Sequence, residues 1–176
     1  TPDVGFIARM TPKDWKFKAS PDLKKMDEKE LVLEITSPSS TMRTYAQRQL
    51  LKRGEGGTVS LIEKLAQSTI PVEQKLALIC TLKQLIGTNA NDFLVKLTAD
   101  EKMREYALRV LADAPEDRAK APTEPFVKAL ADTNPRVREQ AVIGLARIGD
   151  KATANSVLPL VADADPVVAH LAINAL

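Results

Sequence analysis

The sequence predicts an all-α fold: a right-handed α–α superhelix in which about five helix hairpins stack into a solenoid behind an extended N-terminal arm. Three observations carry this prediction, namely a helical pattern that recurs along the chain, polar caps in front of the helices, and the composition. Leu and Ala dominate, whereas aromatic residues make up only 4% of the 176 residues. This composition is typical of closely packed helices rather than of a sheet sandwich.

The helical pattern recurs five times, with a period of about 31 residues. Each recurrence has an apolar or basic pair, then an Ala or Leu three positions later, and then a Leu four positions further on. We call the Ala or Leu in the middle the anchor of its repeat. The anchors are Ala46, Leu78, Ala107, Ala141 and Ala172. Such a period predicts units that pack mainly against their neighbours along the chain.

A shorter apolar stripe precedes each anchor, so each repeat is predicted to be a hairpin of two helices. Spacings of three and four place such residues on one side of a helix, which neighbouring units can bury. The stripes are Leu31/Leu33/Ile35, Leu61/Ile62/Leu65, Phe93/Leu94/Leu97, Phe126/Val127/Leu130 and Val157/Leu158/Val161. We therefore expect a solenoid over residues 27–176, in units of about 27–57, 58–89, 90–121, 122–150 and 151–176, the last one truncated.

Turn residues support the same division of the chain into helix hairpins. Four candidate N-caps stand seven positions before an anchor: Ser39, Asp100, Asn134 and Asp165. Pro135 and Pro166 follow two of them at the first helical position, where the missing N–H costs nothing. The second helices are predicted to end at Gly54, Gly87 and Gly149, because glycine tolerates the left-handed backbone common at helix ends.

Residues 1–26 do not fit the repeat and are predicted to form an arm or linker that arrives from another domain. Val4–Met10 has the length and β-propensity of one strand. Six lysines make the arm basic, and we expect a solvated linker rather than a binding arm: Lys13, Lys16, Lys18, Lys24, Lys25 and Lys29. Trp15 is expected to pin the arm to the first helices. Because the sequence starts without Met and stops inside a helical pattern, we expect an excised piece of a longer protein.

Charge and composition exclude several classes of function. Lys and Arg total 25 against 23 Asp and Glu, so a net charge of +2 makes nucleic acid an unfavoured partner. The sequence lacks an apolar stretch long enough to predict membrane insertion. Cys80 and His170 are the only residues of their kinds, which excludes an internal disulfide, a multi-cysteine or histidine metal cluster and a histidine-dependent triad of this chain's own. We expect Cys80 to lie in the core and His170 to be partly buried. We expect that the chain is not an enzyme and binds no cofactor.

The run NPRVREQAVIGLARIGD at residues 134–150 resembles the HEAT-like repeats of the phycobilisome-lyase type. By the period, the resemblance covers about 150 residues. It is clearest in the fourth unit and weakest in the second, where Gln74 and Lys75 replace the usual Val-Arg. The resemblance is specific to the repeat and not to an activity, and it implies an armadillo-like α-solenoid.

A second resemblance concerns the junction, where GFIARMTP at residues 5–12 and a Pro- and Lys-containing linker precede the first repeat, Glu30–Gly54. This order is similar to large exported bacterial proteins of the planctomycete type, in which a β-propeller is followed by HEAT repeats and often by a c-type cytochrome domain. The resemblance implies that Phe6–Met10 is the last propeller strand, that this chain is a spacer, and that the protein is exported or periplasmic. Without it, the expected location is cytoplasmic. The haem motif Cys-x-x-Cys-His is absent, so no haem function carries over to this chain.

One basic column stands three residues before four of the five anchors. It consists of Arg43, Lys75, Arg104 and Arg138, with Ala169 in the last unit. One interpretation is a partner-binding stripe along the concave surface, which would contact acidic side chains or phosphates. The other is a structural ladder, because Asp132 and Asp163 lie nine residues before their anchors and could pair with it. The sequence favours the ladder and leaves the stripe open.

Three functions therefore stay open, in descending order. The first is a non-catalytic scaffold that binds a protein partner or neighbouring domains of the same chain. The second is the spacer of a larger exported oxidoreductase or electron-transfer protein, whose chemistry lies in other domains. The third is nucleic-acid binding through the basic column.

Overall fold

A computed structural model describes residues 8, 10–14, 16 and 19–176. Over these residues the chain forms α-helices and short 3-10 helices and contains no strand, so the all-α prediction is confirmed. The α-helices are α1 (Glu28–Glu34), α2 (Ser40–Arg53), α3 (Val59–Gln67), α4 (Val72–Ile86), α5 (Asn91–Leu97), α6 (Arg104–Leu111), α7 (Glu124–Ala129), α8 (Pro135–Ile148), α9 (Ala154–Val157) and α10 (Pro166–Ala175). The 3-10 helices are Gly87–Ala90, Pro115–Lys120, Lys151–Thr153 and Leu158–Ala162.

The helices pair in chain order into five hairpins, which we number 1 to 5. Hairpins 1 to 4 are α1–α2, α3–α4, α5–α6 and α7–α8, and we call the first helix of each A and the second B. In hairpin 5 the A helix is α9 and its 3-10 continuation Leu158–Ala162, since Pro159 lacks the N–H that would extend the α-helical bonding, and the B helix is α10. Each B helix contacts the next along the chain, from α2 to α10. The unit boundaries drawn from the sequence stay a prediction.

The core follows the anchors. All five have no exposed surface, and the leucines four positions further on are buried in hairpins 1 to 4. The equivalent residue of hairpin 5, Leu176, is 55% exposed. A small anchor such as Ala107 or Ala141 allows neighbouring helices to approach closely, and the buried leucines around it add apolar area to the core.

Hairpin 4 shows how close this approach becomes. The ring of Phe126 in α7 lies directly against the backbone of Gly144 in α8, and a Cβ at position 144 would lie 2.2 Å from Phe126 Cε1. Carbon atoms do not approach so closely without bonding. The contact between α7 and α8 therefore requires glycine at this position.

Most of the predicted caps are confirmed. Ser39, Asn134 and Asp165 each accept a hydrogen bond from a backbone N–H in the first turn of the helix that follows. Gly54, Gly87 and Gly149 end α2, α4 and α8 with positive φ angles. These residues fix the lengths of the B helices.

The predicted N-cap at Asp100 is wrong. The helix begins at Arg104, and Asp100 instead closes the preceding turn, where its Oδ1 accepts from the Lys102 N–H at 2.9 Å. Its backbone carbonyl accepts from Met103 and Arg104 at 3.0 and 2.8 Å. No proline follows Asp100, so the helix start is not fixed there as it is after Asn134 and Asp165.

The apolar stripes of the A helices were predicted too wide. Leu33, Val127 and Leu158 are exposed, and Val161 is 36% exposed, although each belongs to a stripe expected to be buried. Val32, which the stripe omitted, is buried in place of Leu33. Consecutive helical residues point about 100° apart, so a residue next to a buried one lies at the edge of the covered side and can be exposed, as Val127 is beside Phe126.

Part of the N-terminal arm is attached to hairpin 1. Leu23 and Met26 pack against the core, and the guanidinium of Arg53, at the end of α2, donates to the carbonyls of Leu23, Lys24 and Met26. Most of the expected strand Val4–Met10, and Trp15, lie outside the described residues.

Candidate functional site

The four residues of the basic column lie in the first turn of the B helices α2, α4, α6 and α8, beside the turn that joins A to B. Its three arginines share one contact, because each donates to the backbone carbonyl six residues before it. The bonds are Arg43 to Ser37, Arg104 to Thr98 and Arg138 to Asp132, each 2.8 Å long. Each arginine therefore closes the A–B turn of its own hairpin.

A second contact joins neighbouring hairpins. Arg138 binds Asp163 through two bonds, from Nε at 2.8 Å and from Nη2 at 2.7 Å. Arg104 binds Asp132 through Nη1, and Lys75 Nζ lies 3.9 Å from Asp100 Oδ2. In each pair the carboxylate belongs to the A–B turn of the next hairpin. We call the set Lys75–Asp100, Arg104–Asp132 and Arg138–Asp163 the turn ladder, and each pair a rung.

The rungs change the acidity of their carboxyl groups. The hydrogen bond from Arg138, together with a backbone amide, lowers the pKa of Asp163 against the opposing effect of burial. Burial works to raise the pKa of Asp132, but a backbone amide, Arg104 and the charge of Arg138 outweigh it, so this pKa also lies below its usual value. The bond to Asp163 raises the pKa of Arg138. Both aspartates therefore stay ionised to a lower pH than an unperturbed aspartate would.

Arg43 belongs to the column but lacks such a rung. Among the described residues it has no acidic partner, and its hydrogen bonds go to the carbonyls of Ser37 and Pro38. Thr69 stands nine residues before the anchor of hairpin 2, where Asp132 and Asp163 stand in hairpins 4 and 5. The pairing expected of a structural ladder is thus present at Arg104 and Arg138 and missing at Arg43. A partner-binding role for the column stays a prediction.

The other edge of the hairpins, where B helices lead into the next A helices, holds a buried polar cluster that the sequence interpretation missed. The side chain of Lys83 is only 4% exposed, and its Nζ lies 2.9 Å from Asp117 Oδ2 and 2.9 Å from Asn91 Oδ1. Asn91 Nδ2 donates to the Lys120 carbonyl at 3.3 Å. We call Lys83, Asn91 and Asp117 the Lys83 cluster. It joins α4, α5 and the 3-10 helix Pro115–Lys120, and its one sequence signal is a lysine inside an apolar stretch.

Two positions recur on the B helices and carry large side chains in hairpins 1 and 3. The residues one before and two after the anchor are Tyr45/Arg48, Ala77/Cys80, Tyr106/Arg109 and Gln140/Ile143 in hairpins 1 to 4, and we call them the B-helix face. Tyr45 is 51% exposed, Arg48 and Arg109 are exposed, and Tyr106 is half-buried. None of these four side chains donates or accepts a hydrogen bond within the described residues.

Two ion pairs flank the B-helix face between α6 and α8. Arg136 Nη2 lies 2.9 Å from Glu105 Oε1, and Arg147 Nη1 lies 3.1 Å from Asp113 Oδ1. These arginines are partly neutralised by neighbours, whereas Arg48 and Arg109 are in no ion pair with a described residue. The unpaired positive charge of this surface therefore lies at Arg48 and Arg109.

Comparison with known proteins identifies the architecture. Residues 91–176, which contain α5 to α10, match the family model described as HEAT repeats. An engineered protein with a crystal structure is 23% identical, with a TM-score of 0.57 over 85% of this chain and 78% of that one. A designed armadillo repeat protein in complex with the peptide (KR)4 is 21% identical, with a TM-score of 0.58 over 85% and 80% of the chains.

The fold is a HEAT-like α-solenoid. Computationally designed armadillo repeat proteins for modular peptide recognition are similar as well, at 22% identity and a TM-score of 0.55 over 85% of this chain and 80% of theirs. At such identities the likeness shows the fold alone. No curated protein matches the chain.

Cys80 and His170, the other two residues considered for reactivity, lie in the B helices α4 and α10. Burial, and secondarily the charge of Asp113, raises the pKa of the half-buried Cys80 to about 11, so it is a thiol at neutral pH. His170 is exposed rather than partly buried as expected, and its Nε2 lies 3.0 Å from Asn174 Nδ2. Within the described part of the chain, no group of three or more His, Cys, Asp or Glu could hold a metal ion. No helix described there has the length and apolar character needed to cross a membrane.

Proposed function

We propose that this HEAT-like solenoid is a non-catalytic scaffold that binds a polypeptide along its B-helix face. The observation that carries the proposal is the exposure of Tyr45, Arg48 and Arg109, with Tyr106, at equivalent positions of α2 and α6. Tyrosine and arginine are the residues most often found at energetic centres of protein interfaces. Within the described part of the chain these side chains make no hydrogen bond, in contrast to Arg104 and Arg138 of the turn ladder.

The charge of the face indicates the chemistry of the partner. Of the similar structures, one designed armadillo repeat protein is in complex with the basic peptide (KR)4, and another was designed for modular peptide recognition. Here the unpaired charges of the B-helix face are Arg48 and Arg109, so the complementary peptide is acidic rather than basic. Aromatic contact with Tyr45 and Tyr106 would add apolar area between the charges. In the alternative in which the chain is a spacer, a neighbouring domain would supply this partner surface.

Selection of peptides from a random displayed library on the immobilised protein tests this function. We expect acidic sequences with apolar residues, and we expect their affinity to fall at least tenfold in a Tyr45→Ala/Arg109→Ala double variant. The matched control is Leu33→Ala/Lys64→Ala, which removes an exposed apolar and an exposed basic residue from the A helices. Circular dichroism checks that both variants stay folded.

Failure to select binding peptides, or peptides that bind the double variant as tightly as the wild type, would contradict the proposal. Salt-sensitive binding of single- or double-stranded nucleic acid, lost in the same double variant, would favour nucleic-acid binding instead. The alternating signs around the face, with Glu105 and Asp113 beside Arg136 and Arg147, argue against that outcome.

A further inference from the structure

Arg43 and Arg138 bind their own A–B turns in the same way. Arg138 Nη1 donates to the carbonyls six and five residues earlier, at 2.8 and 3.3 Å. Arg43 Nη1 donates to its own equivalent carbonyls, those of Ser37 and Pro38, at 2.8 and 3.0 Å. The two guanidinium groups are therefore held by the same atom against the same part of the hairpin.

The two arginines differ in what their remaining donors, Nε and Nη2, bind. Arg138 uses Nε and Nη2 as a fork that holds both oxygens of Asp163. Arg43 Nε and Nη2 have no acceptor among the described residues, and Thr69 stands in the turn of hairpin 2 at the position that Asp163 has in hairpin 5. Arg43 thus has the same pair of donors, Nε and Nη2, that Arg138 uses, but no carboxylate is bound to them.

The turn that could have supplied the carboxylate is open. Thr69 is exposed, and a cleft of about 430 Å³ is lined by Ser68, Thr69 and Lys75 together with the turn around Asp100. Of the charged residues that line this cleft, Lys75 is already paired with Asp100 as a rung of the turn ladder. On the same helix as Arg43, Tyr45 and Arg48 begin the B-helix face.

We propose that Arg43 is a carboxylate-binding site, in which Nε and Nη2 hold one Asp, Glu or C-terminal carboxylate of a bound polypeptide. The inference rests on the proposed function and extends it by naming a specific contact and the group it recognises. A planar carboxylate matches the two parallel N–H donors of arginine, and the chain itself uses that match at Arg138. The partner carboxylate takes the place that Asp163 takes in hairpin 5.

The first test fills the site from within the chain. In Thr69→Asp, we expect the new carboxylate to pair with Arg43 and to raise the midpoint temperature of unfolding by about 2–4 °C. The matched control is Thr69→Asn, because Asn has the shape of Asp without its charge, and it should not give this rise. In an Arg43→Gln background, Thr69→Asp should lose its effect. An equal response to Thr69→Asp with and without Arg43, or no response at all, would overturn the proposal.

The second test measures an external carboxylate. The probe is a fluorescently labelled peptide of eight glutamates, with eight glutamines as the neutral counterpart. We expect binding of the glutamate peptide to weaken about tenfold in Arg43→Gln and in Thr69→Asp, and to be unchanged in Lys64→Gln. Unchanged affinity in the first two variants, or no binding of the glutamate peptide to the wild type, would overturn the carboxylate site.

The two proposals fail separately. Library peptides that bind the B-helix face but are insensitive to Arg43→Gln and Thr69→Asp would leave the scaffold function standing without this site. Failure of the library selection, with Thr69→Asp still stabilising through Arg43, would remove the scaffold function and with it the partner that the site requires.

Discussion

The two edges of the solenoid hold neighbouring hairpins together in different ways. Along the A–B turns, the rungs Arg104–Asp132 and Arg138–Asp163 repeat one arrangement and keep part of each arginine in contact with solvent. Along the opposite edge, the Lys83 cluster occurs at one junction, and its lysine is almost completely buried. Each rung is expected to stabilise its junction modestly, and the rungs recur along the array. The Lys83 cluster occurs once, so its loss is expected to destabilise mainly the junction of hairpins 2 and 3.

The largest expected effect follows from removing the buried lysine. Lys83→Ala should lower the free energy of unfolding by about 3–5 kcal/mol, because Asp117 loses its partner in a poorly solvated place and Asn91 loses its donor. Urea denaturation measures this loss, with Lys64→Ala as the exposed control. A loss below about 1 kcal/mol would show that the cluster is solvated in solution and would remove the contrast between the edges.

A single rung should contribute less. In a double-mutant cycle of Arg138→Ala and Asp163→Ala, we expect a coupling energy of about 1–2 kcal/mol, the range for hydrogen bonds between partly exposed charged groups. Denaturation of the wild type, both single variants and the double variant gives this value. Additive effects of the two substitutions would mean that the pair in the structure does not stabilise the solenoid.

The turn ladder also predicts an acid response. Asp132 and Asp163 have pKa values below those of the unfolded chain, so their contribution to stability is present above about pH 4 and is lost as the pH falls through the lowered values. Thermal unfolding between pH 5 and pH 2 should therefore show a smaller loss of stability in Asp163→Asn than in the wild type. Identical pH profiles would contradict the assigned role of Asp163.

Regular features of the molecule could be predicted from the sequence because they recur. The anchors, the caps Asn134–Pro135 and Asp165–Pro166, and the carboxylates of Asp132 and Asp163 each appear at a fixed offset in more than one unit. The predicted N-cap at Asp100 was wrong because the B helix of hairpin 3 begins later relative to its anchor than those of hairpins 4 and 5. The predicted burial was also wrong where one member of an adjacent apolar pair is buried and the other exposed, as at Phe126 and Val127.

Contacts made once could not be predicted in this way. Asn91 and Asp117 lie in segments whose lengths differ between repeats, so no offset relates them to Lys83. The difference between Arg43 and Arg138 depends on which guanidinium nitrogens are occupied, and sequence spacing carries no such information. The basic column therefore looked uniform, although its members differ in what they bind.

Lys75, Arg104 and Arg138 each pair with a carboxylate of the next hairpin, whereas Arg43 has no such partner among the described residues. The most direct measurement is the free energy of unfolding of Arg43→Gln, Lys75→Gln, Arg104→Gln and Arg138→Gln. We predict the largest losses at Arg104 and Arg138, a small loss at Lys75, whose Nζ lies 3.9 Å from a carboxylate oxygen, and a loss at Arg43 limited to its carbonyl bonds. Equal losses at all four positions, or the largest loss at Arg43, would contradict the account.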